Sequence, residues 1–377
     1  MKVLNVVLNN FTNDSRVLKT SMSLKESGYN VTIVAYHDEQ VKEEEVVQGI
    51  SVKRLKLLSK KVGSNPIAIL IKFLEFIFKV VFLSKRMGIE IAHVNDLQGL
   101  MVGVFLKICK PSIRIVYDSH EWQIDHVPNQ SIWKQKVLYI IEKMAINFAN
   151  KVIVVSDSIA DEYVKVYNID KPYVILNCPY YTKVEKDDIY RSTFNISKNM
   201  KIFLYQGALN KGRGIECLIR VFESLSNDSV CIVFMGYGAL VSEIKDAALR
   251  SNKIYYHDAV RPEIIYQYTS SADVGICLIE DCCLSYRYCL PNKLFEYTMA
   301  GLPVLVSALP ELERFVTKNK NGLTVDINDS HMILNALDVL SQNSNLIDEM
   351  SKNAEKLSSI YHWDEQAKIL LDIYNNL

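Results

Sequence analysis

Pro291-Asn-Lys-Leu-Phe-Glu-Tyr-Thr-Met-Ala-Gly-Leu-Pro-Val-Leu305 changes its periodicity twice and so decides how the chain folds around it. Pro291 and Asn292 open an amphipathic run, Leu294 to Met299, which Gly301 stops; the apolar run Val304 to Val306 follows at once. That succession predicts a loop, a short helix and a buried strand. A helix N-terminus presents unpaired N–H groups and the positive end of its dipole, and with Lys293 beside it the site suits a phosphate. Glu296, one turn in, can accept from two vicinal hydroxyls, which is how a carboxylate holds a ribose. A cation and N–H groups for a diphosphate, with an acid for a ribose, point to a nucleotide-sugar site.

Outward from this stretch, strand and helix patterns alternate. Strands are predicted at Val3–Leu8, Val31–Ala35, Ile89–Val94, Ile113–Tyr117 and Val152–Val155, with helices at Ser15–Ser27, Ala68–Lys85 and Trp133–Ala149 between them. The alternation restarts at Lys201, with strands at Ile202–Tyr205, Val230–Met235, Ile254–Tyr256, Val274–Leu278 and Val304–Val306. Alternation of this kind implies parallel sheets with right-handed crossovers, and the restart implies two doubly wound domains. The charged stretch Lys183–Asn199 reads as the linker. The domains are therefore expected at 1–182 and 200–360, followed by a terminal helix at 361–377.

Composition narrows the class. A chain of 377 residues is long for one core, and a formal net charge of zero argues against a nucleic-acid partner. The eight cysteines show no paired Cys-x-x-Cys spacing, and most sit in apolar runs, as expected of reduced thiols in a cytoplasmic protein. The opening run Met1–Leu8 is too short for a signal peptide, and no stretch is long and apolar enough to span a bilayer. Ile67–Leu83 comes nearest. Its Lys72, Glu75 and Lys79 share one face while nearly everything else is apolar, so it reads either as a helix that docks on a membrane surface or as one buried between the sheet and a neighbour.

Several loops at strand ends concentrate polar chemistry. Tyr205-Gln-Gly-Ala-Leu-Asn-Lys-Gly-Arg-Gly-Ile215 brings Gly207, Gly212 and Gly214 together with Lys211 and Arg213, at the strand terminus where open α/β sheets bind ligands. Met235-Gly-Tyr-Gly238 follows the next strand. Asp118, His120 and Glu121 cluster after another, as a polar cleft requires. Asp14 can cap the first helix, and Arg16 reads equally as a surface cation or a ligand contact.

These motifs resemble the GT-B glycosyltransferases of family 4, the "glycosyl transferases group 1" type, over nearly the whole chain and most specifically over 202–305. The family's signature is Glu, seven residues, then Glu, followed by Gly-Leu-Pro-Val. Glu296 and Gly301-Leu-Pro-Val304 match its second half, while Tyr288 stands where the first acid belongs. Pro-Asn-Lys-Leu-Phe-Glu-Tyr resembles a subgroup of bacterial surface-polysaccharide loci. The resemblance implies two Rossmann-like domains facing across a cleft, with a C-terminal helix crossing back to the first. It implies donor binding by Gly207, Lys211, Arg213, Gly236, Gly238, Asn292, Lys293, Leu294 and Glu296, with His120 and Glu296 as the catalytic pair. The first domain lacks the family's Gly-rich loop, so Asp14, Arg16, Asp96 and Glu121 are assigned to the acceptor.

The activity so implied is transfer from a UDP- or GDP-sugar to a lipid-linked or oligosaccharide acceptor, with retention and without metal or cofactor. The nucleotide sugar is a substrate, and the inner face of a membrane is a possible partner. With a base required only for inversion, Glu121, Asp96 or Asp14 would be its candidates. A nucleotide-sugar 2-epimerase and a catalytically inactive partner subunit of the same architecture stay open.

Overall fold

A computed structural model describes residues 1–12, 14–61, 63 and 65–377. It divides into two compact units: Met1–His126 with Gln130–Leu176 and Gln366–Leu377, and Val127–Asn129 with Asn177–Glu365.

The first unit is built on β1 (Lys2–Val6), β2 (Asn30–Tyr36), β3 (Glu44–Val47), β4 (Ile50–Leu55), β5 (Ile91–Asn95), β6 (Arg114–Asp118), β7 (Lys151–Val154) and β8 (Tyr173–Val174). They lie in the order β3-β4-β2-β1-β5-β6-β7-β8, parallel throughout except for β3 against β4. The chain moves one way from β1 to β2 and the other way from β5 onward. That reversal sets a switch point between β1 and β5, where strand C-termini open a crevice. The second unit carries β9 (Lys201–Ala208), β10 (Val230–Tyr237), β11 (Ile254–Asp258), β12 (Val274–Cys277), β13 (Val304–Ser307) and β14 (Gly322–Val325), all parallel in the order β11-β10-β9-β12-β13-β14. Its switch point lies between β9 and β12.

The central strands β1, β2, β5 and β6 of the first sheet and β9, β10, β12 and β13 of the second are buried on both faces, which is why they read as continuous apolar runs, whereas β4 near the sheet edge alternates. At the β9–β12 switch the ladder pairs only Val274 with Phe203 and Gly275 with Leu204. The Tyr297 hydroxyl takes over from there, accepting from Gln206 N at 2.9 Å and lying 3.0 Å from Leu204 O. A Cβ at Gly275 would lie 2.4 Å from the Tyr297 ring, so the absence of a side chain there admits the tyrosine.

Three expectations need correction. The hairpin β3–β4 was not foreseen; its two-residue turn puts Gln48 at φ +47° and Gly49 at φ +78°, the left-handed pair that matches strand twist. The short strands β8 and β14 were also missed. Lys183–Asn199 is not a free linker but belongs to the second unit. Lys186 donates to Ala272 O, Arg191 pairs with Asp273 at 2.8 Å, and Ile189–Phe194 is helical. The chain changes unit at Leu176–Asn177 and again at Glu365–Gln366, within the helix Trp363–Asn375. In the first unit that helix places the Tyr374 hydroxyl 2.9 Å from His93 Nδ1, and Arg114 donates to Leu377 O at 2.8 Å.

The helix Pro66–Met87 settles between its two readings. Ala68, Phe76, Ile77, Val80 and Ser84 are buried, yet Ile67, Leu70, Leu74, Phe78 and Phe82 are exposed. The three charges of its central face turn toward its own protein, while Lys85 and Arg86 in the last turn are exposed. Glu75 accepts from the backbone N–H groups of Leu58 and Ser59 at 2.7 and 2.8 Å, Lys72 donates to Gly63 O, and Lys79 donates to Lys56 O. No helix among the described residues is long and apolar enough to cross a membrane.

Candidate active site

In the second unit the donor candidates gather at the C-terminal end of β9, beside its switch point. Gly207 and Gly236 are register partners on β9 and β10, and a Cβ at Gly236 would lie 1.9 Å from Gly207 O. No other residue fits there, so main chain alone floors this end of the sheet. Gly214, at φ +71°, begins the helix Ile215–Ser224, and a Cβ on it would meet Leu278 O at 2.7 Å. Gly238 is packed against Leu209 O in the same manner.

Two cations sit on aromatic faces above this floor. Lys293 Nζ lies 3.4 Å from the centre of the Tyr205 ring, and the Arg213 guanidinium lies 4.2 Å from that of Tyr286. Such contacts stabilise a positive charge without neutralising it. Burial nonetheless lowers the Lys293 ammonium to about 7; Cys277 and Glu296 act against that shift, and the Arg213 charge reinforces it. Lys211 is exposed on the same loop, and Asn292 is exposed at the start of the helix Asn292–Met299. Tyr288 closes the short helix Leu284–Arg287 with its N–H on Leu284 O, away from the acid role of its family position.

Glu296 is oriented by groups that sequence reasoning missed. Gln206, buried in β9, donates its amide to the Glu296 carboxylate and accepts from Thr269 Oγ1 at 2.8 Å, which fixes which way the amide points. A glutamine interrupting the run Ile202-Phe-Leu-Tyr was the available signal. Leu294 does not lie among these groups by its side chain: it is fully buried, and its N–H donates to Pro291 O at 3.0 Å.

In the first unit a second cluster centres on Asp118 at the end of β6. Arg16 donates to both its oxygens, at 3.0 and 2.7 Å, and to Ile175 O at 2.9 Å. His93 Nε2 lies 3.4 Å away and His120 Nε2 3.6 Å away. Burial would raise the Asp118 carboxyl, but Arg16 and His120 hold it well below the usual range. His120 is fixed on its other side too: its N–H donates to Asp96 Oδ1 at 3.0 Å, and its Nε2 lies 3.1 Å from Asn95 Oδ1. Burial would lower the imidazole, yet Asp96 and Asp118 together raise it to about 9. Asp96 sits at the first turn of the helix Asp96–Cys109 with φ +57°, and Gln123 Nε2 donates to it at 2.8 Å.

Two acceptor assignments change character. Arg16 is 3% exposed with its donors engaged, so it supports Asp118 rather than reaching a ligand. Asp14 caps its helix, accepting from Val17 N at 3.2 Å and from Asn9 Nδ2 at 3.0 Å. Glu121 is half-buried beside His120. Among the described residues no group of three or more His, Cys, Asp or Glu side chains is placed to hold a metal.

Comparison with known proteins agrees with this geometry. The family model "Glycosyltransferase Family 4" matches residues 15–179, and "Glycosyl transferases group 1" matches 186–357. An uncharacterized glycosyltransferase of Methanocaldococcus jannaschii is 24% identical over 93% of this chain and 90% of its own length. The chitobiosyldiphosphodolichol beta-mannosyltransferase of Debaryomyces hansenii is 22% identical over 95% of this chain and 84% of its own. Among solved structures, the sucrose-phosphate synthase of Thermosynechococcus elongatus superposes with a TM-score of 0.83 at 16% identity, covering 100% of this chain and 98% of that one. Anabaena HepE in complex with UDP-glucose does so with a TM-score of 0.75 at 15% identity, covering 100% of both. Two parallel-sheet units with polar strand ends, and family matches that together span most of the sequence, place the chain in the family-4 glycosyltransferases of the GT-B fold.

Proposed function

We propose that this glycosyltransferase moves one sugar from a UDP- or GDP-sugar to a lipid-linked or oligosaccharide acceptor of a bacterial surface glycan, retaining anomeric configuration and using no metal. The observation that carries the reading is the meeting of Lys293, Arg213 and an oriented Glu296 above a side-chain-free floor at the β9–β12 switch point. Glu296 would hold the ribose. Lys293 and Arg213, with Lys211 and the N–H groups of the Asn292 helix, would meet the charge that grows on the departing diphosphate. Arg213, and Lys293 once the diphosphate has drawn a proton onto it, would supply the stabilisation a metal would otherwise give.

His120, raised to about 9, is an imidazolium at neutral pH, so it donates rather than removes a proton. We assign it a hydrogen bond to the donor sugar, with the departing phosphate as base. Of the three candidate bases for an inverting route, Asp14 is engaged as a cap and Asp96 already accepts from His120 N and Gln123, which leaves Glu121 for that alternative. Among relatives, one is named for action on chitobiosyldiphosphodolichol, and HepE holds UDP-glucose; these support a lipid diphosphate acceptor and a UDP-sugar donor.

A lipid acceptor gives meaning to the exposed apolar residues of the first unit. Phe78 and Phe82 on Pro66–Met87, and Ile132, Trp133, Ile140 and Met144 on Ile132–Ala145, are all exposed, with Lys134, Lys136 and Lys143 exposed among the latter. Both helices cross the sheet in the same direction, and right-handed crossovers put them on one face. We read that face as resting on the inner leaflet of the cytoplasmic membrane.

Incubation with a panel of nucleotide sugars, following nucleoside diphosphate release with and without chelator, tests the chemistry. Release that stops with chelator and returns with magnesium or manganese refutes the metal-free route. Flotation with anionic vesicles tests the surface. Wild type should float and a Phe78→Ser, Trp133→Ser double variant should not; a wild type left at the bottom rules the surface out.

A further inference from the structure

Glu142 is a carboxyl group buried away from solvent, and among the described residues it forms no ion pair. It is fully buried, and three tyrosine hydroxyls converge on it: Tyr117 at 2.7 Å, Tyr163 at 2.5 Å and Tyr167 at 2.7 Å. Tyr163 also lies 2.8 Å from Ser119 Oγ, and Ser119 Oγ lies 2.8 Å from Glu121 O. These are five close oxygen–oxygen contacts, and each needs a proton between its oxygens. The three tyrosines and Ser119 bring four. With Glu142 ionised, one contact would oppose lone pairs at 2.8 Å or less. The fifth proton has one place to be, on Glu142 itself.

With that proton every contact is satisfied in one direction. Glu142 donates to Tyr163, Tyr163 to Ser119 and Ser119 to Glu121 O, while Tyr117 and Tyr167 donate to the two carboxyl oxygens. Burial raises this acid, and of the groups around it Asp96 opposes its ionisation while the three tyrosines alone favour it. The chain ends on the residues that flank His120. Glu121 O also lies 3.3 Å from Gln123 Nε2, whose other contact is Asp96.

We propose that Glu142 is a neutral acid heading an ordered hydrogen-bond chain, Glu142 to Tyr163 to Ser119 to the Glu121 carbonyl, which fixes the backbone on either side of His120 and makes Glu142 and Tyr163 positioning residues for sugar transfer. The part concerning transfer rests on the role given to His120 above. The chain explains why an acid stands where an apolar side chain would pack: a donor is needed at the head, and an ionised carboxylate could not be one.

Three measurements test it on the whole protein. Infrared difference spectra of wild type against Glu142→Gln should show a protonated-carboxyl stretch that is lost in the variant; a carboxylate pair in its place overturns the neutral acid. Glu142→Gln keeps an N–H donor and should retain transfer, whereas Tyr163→Phe keeps the ring's edge contact with Trp122 and should lower kcat roughly 10- to 100-fold with the donor KM unchanged. Equal loss in Glu142→Gln and Glu142→Ala, or an unchanged kcat in Tyr163→Phe, overturns the positioning role. His120 imidazole resonances followed against pH should shift in Tyr163→Phe and not in Glu142→Gln. That readout needs no turnover, so it judges the chain even if His120→Ala shows His120 to be dispensable for transfer.

Discussion

Raising the pH should weaken nucleotide binding through Lys293 before any other donor-site cation loses its charge. Burial brings its ammonium to about 7 in the empty site. A diphosphate beside the amine favours the charged form, so binding above that pH takes up a proton. Each further pH unit then costs the complex about 1.4 kcal/mol, a tenfold rise in Kd, and the loss from about pH 7 to about pH 9 approaches a hundredfold. The ligand contributes little there, because a terminal phosphate has its second pKa at about 6 and is nearly fully ionised above about pH 7. Arg213 stays charged throughout. Calorimetry of a nucleoside diphosphate at about pH 8, in buffers of different ionisation enthalpy, should give a buffer-dependent heat equivalent to one proton. In Lys293→Gln that dependence should vanish and Kd should no longer vary with pH in this window. A wild-type Kd that stays level, with a heat independent of buffer, refutes the placement of Lys293 against the diphosphate.

Glu296→Ala should weaken nucleoside diphosphate binding by about 1.5–3 kcal/mol and Gln206→Ala by about 1 kcal/mol, since the second removes only the orienting bond; equal affinities in all three proteins would remove the ribose from Glu296. Because His120 is raised from its ordinary value to about 9, its stabilising contribution is complete below about pH 6.5 and is lost as pH rises through about 9. The Tm gap between wild type and His120→Asn should therefore close over that range, and a constant gap contradicts it. Asp118→Asn leaves the Arg16 charge buried and should cost about 3–5 kcal/mol in urea unfolding; a near-neutral result would mean the pair is not buried.

What the sequence made legible was whatever depends on neighbours along the chain. The restart of alternation at Lys201, the glycines of the 205–215 loop and the opening of the Asn292 helix all follow from local spacing, and the structure has these elements in place. Pairings across the chain were hidden. Arg16 reads equally as a surface cation or a ligand contact because its partner Asp118 lies 102 positions away. Nothing local to Glu142, inside the helix predicted over Trp133–Ala149, shows that Tyr163 and Tyr167 will face it. The hairpin β3–β4 escaped for another reason: Gln48-Gly49 is a weaker turn signal than Asn-Gly, although the left-handed geometry is the same. Gln206 escaped because a polar residue in an apolar strand announces burial without naming what it will hold.

The floor of main chain at Gly207 and Gly236 bears on how this enzyme could be redesigned. A surface that offers no side chain has nothing to substitute, and any residue larger than glycine at 236 collides with the neighbouring strand. Libraries aimed at a new donor sugar should therefore leave this pair untouched and diversify positions around it that carry no charge toward the diphosphate. With this floor and the three cations Lys211, Arg213 and Lys293 held constant, differences in turnover among such variants would report on the sugar rather than on the diphosphate.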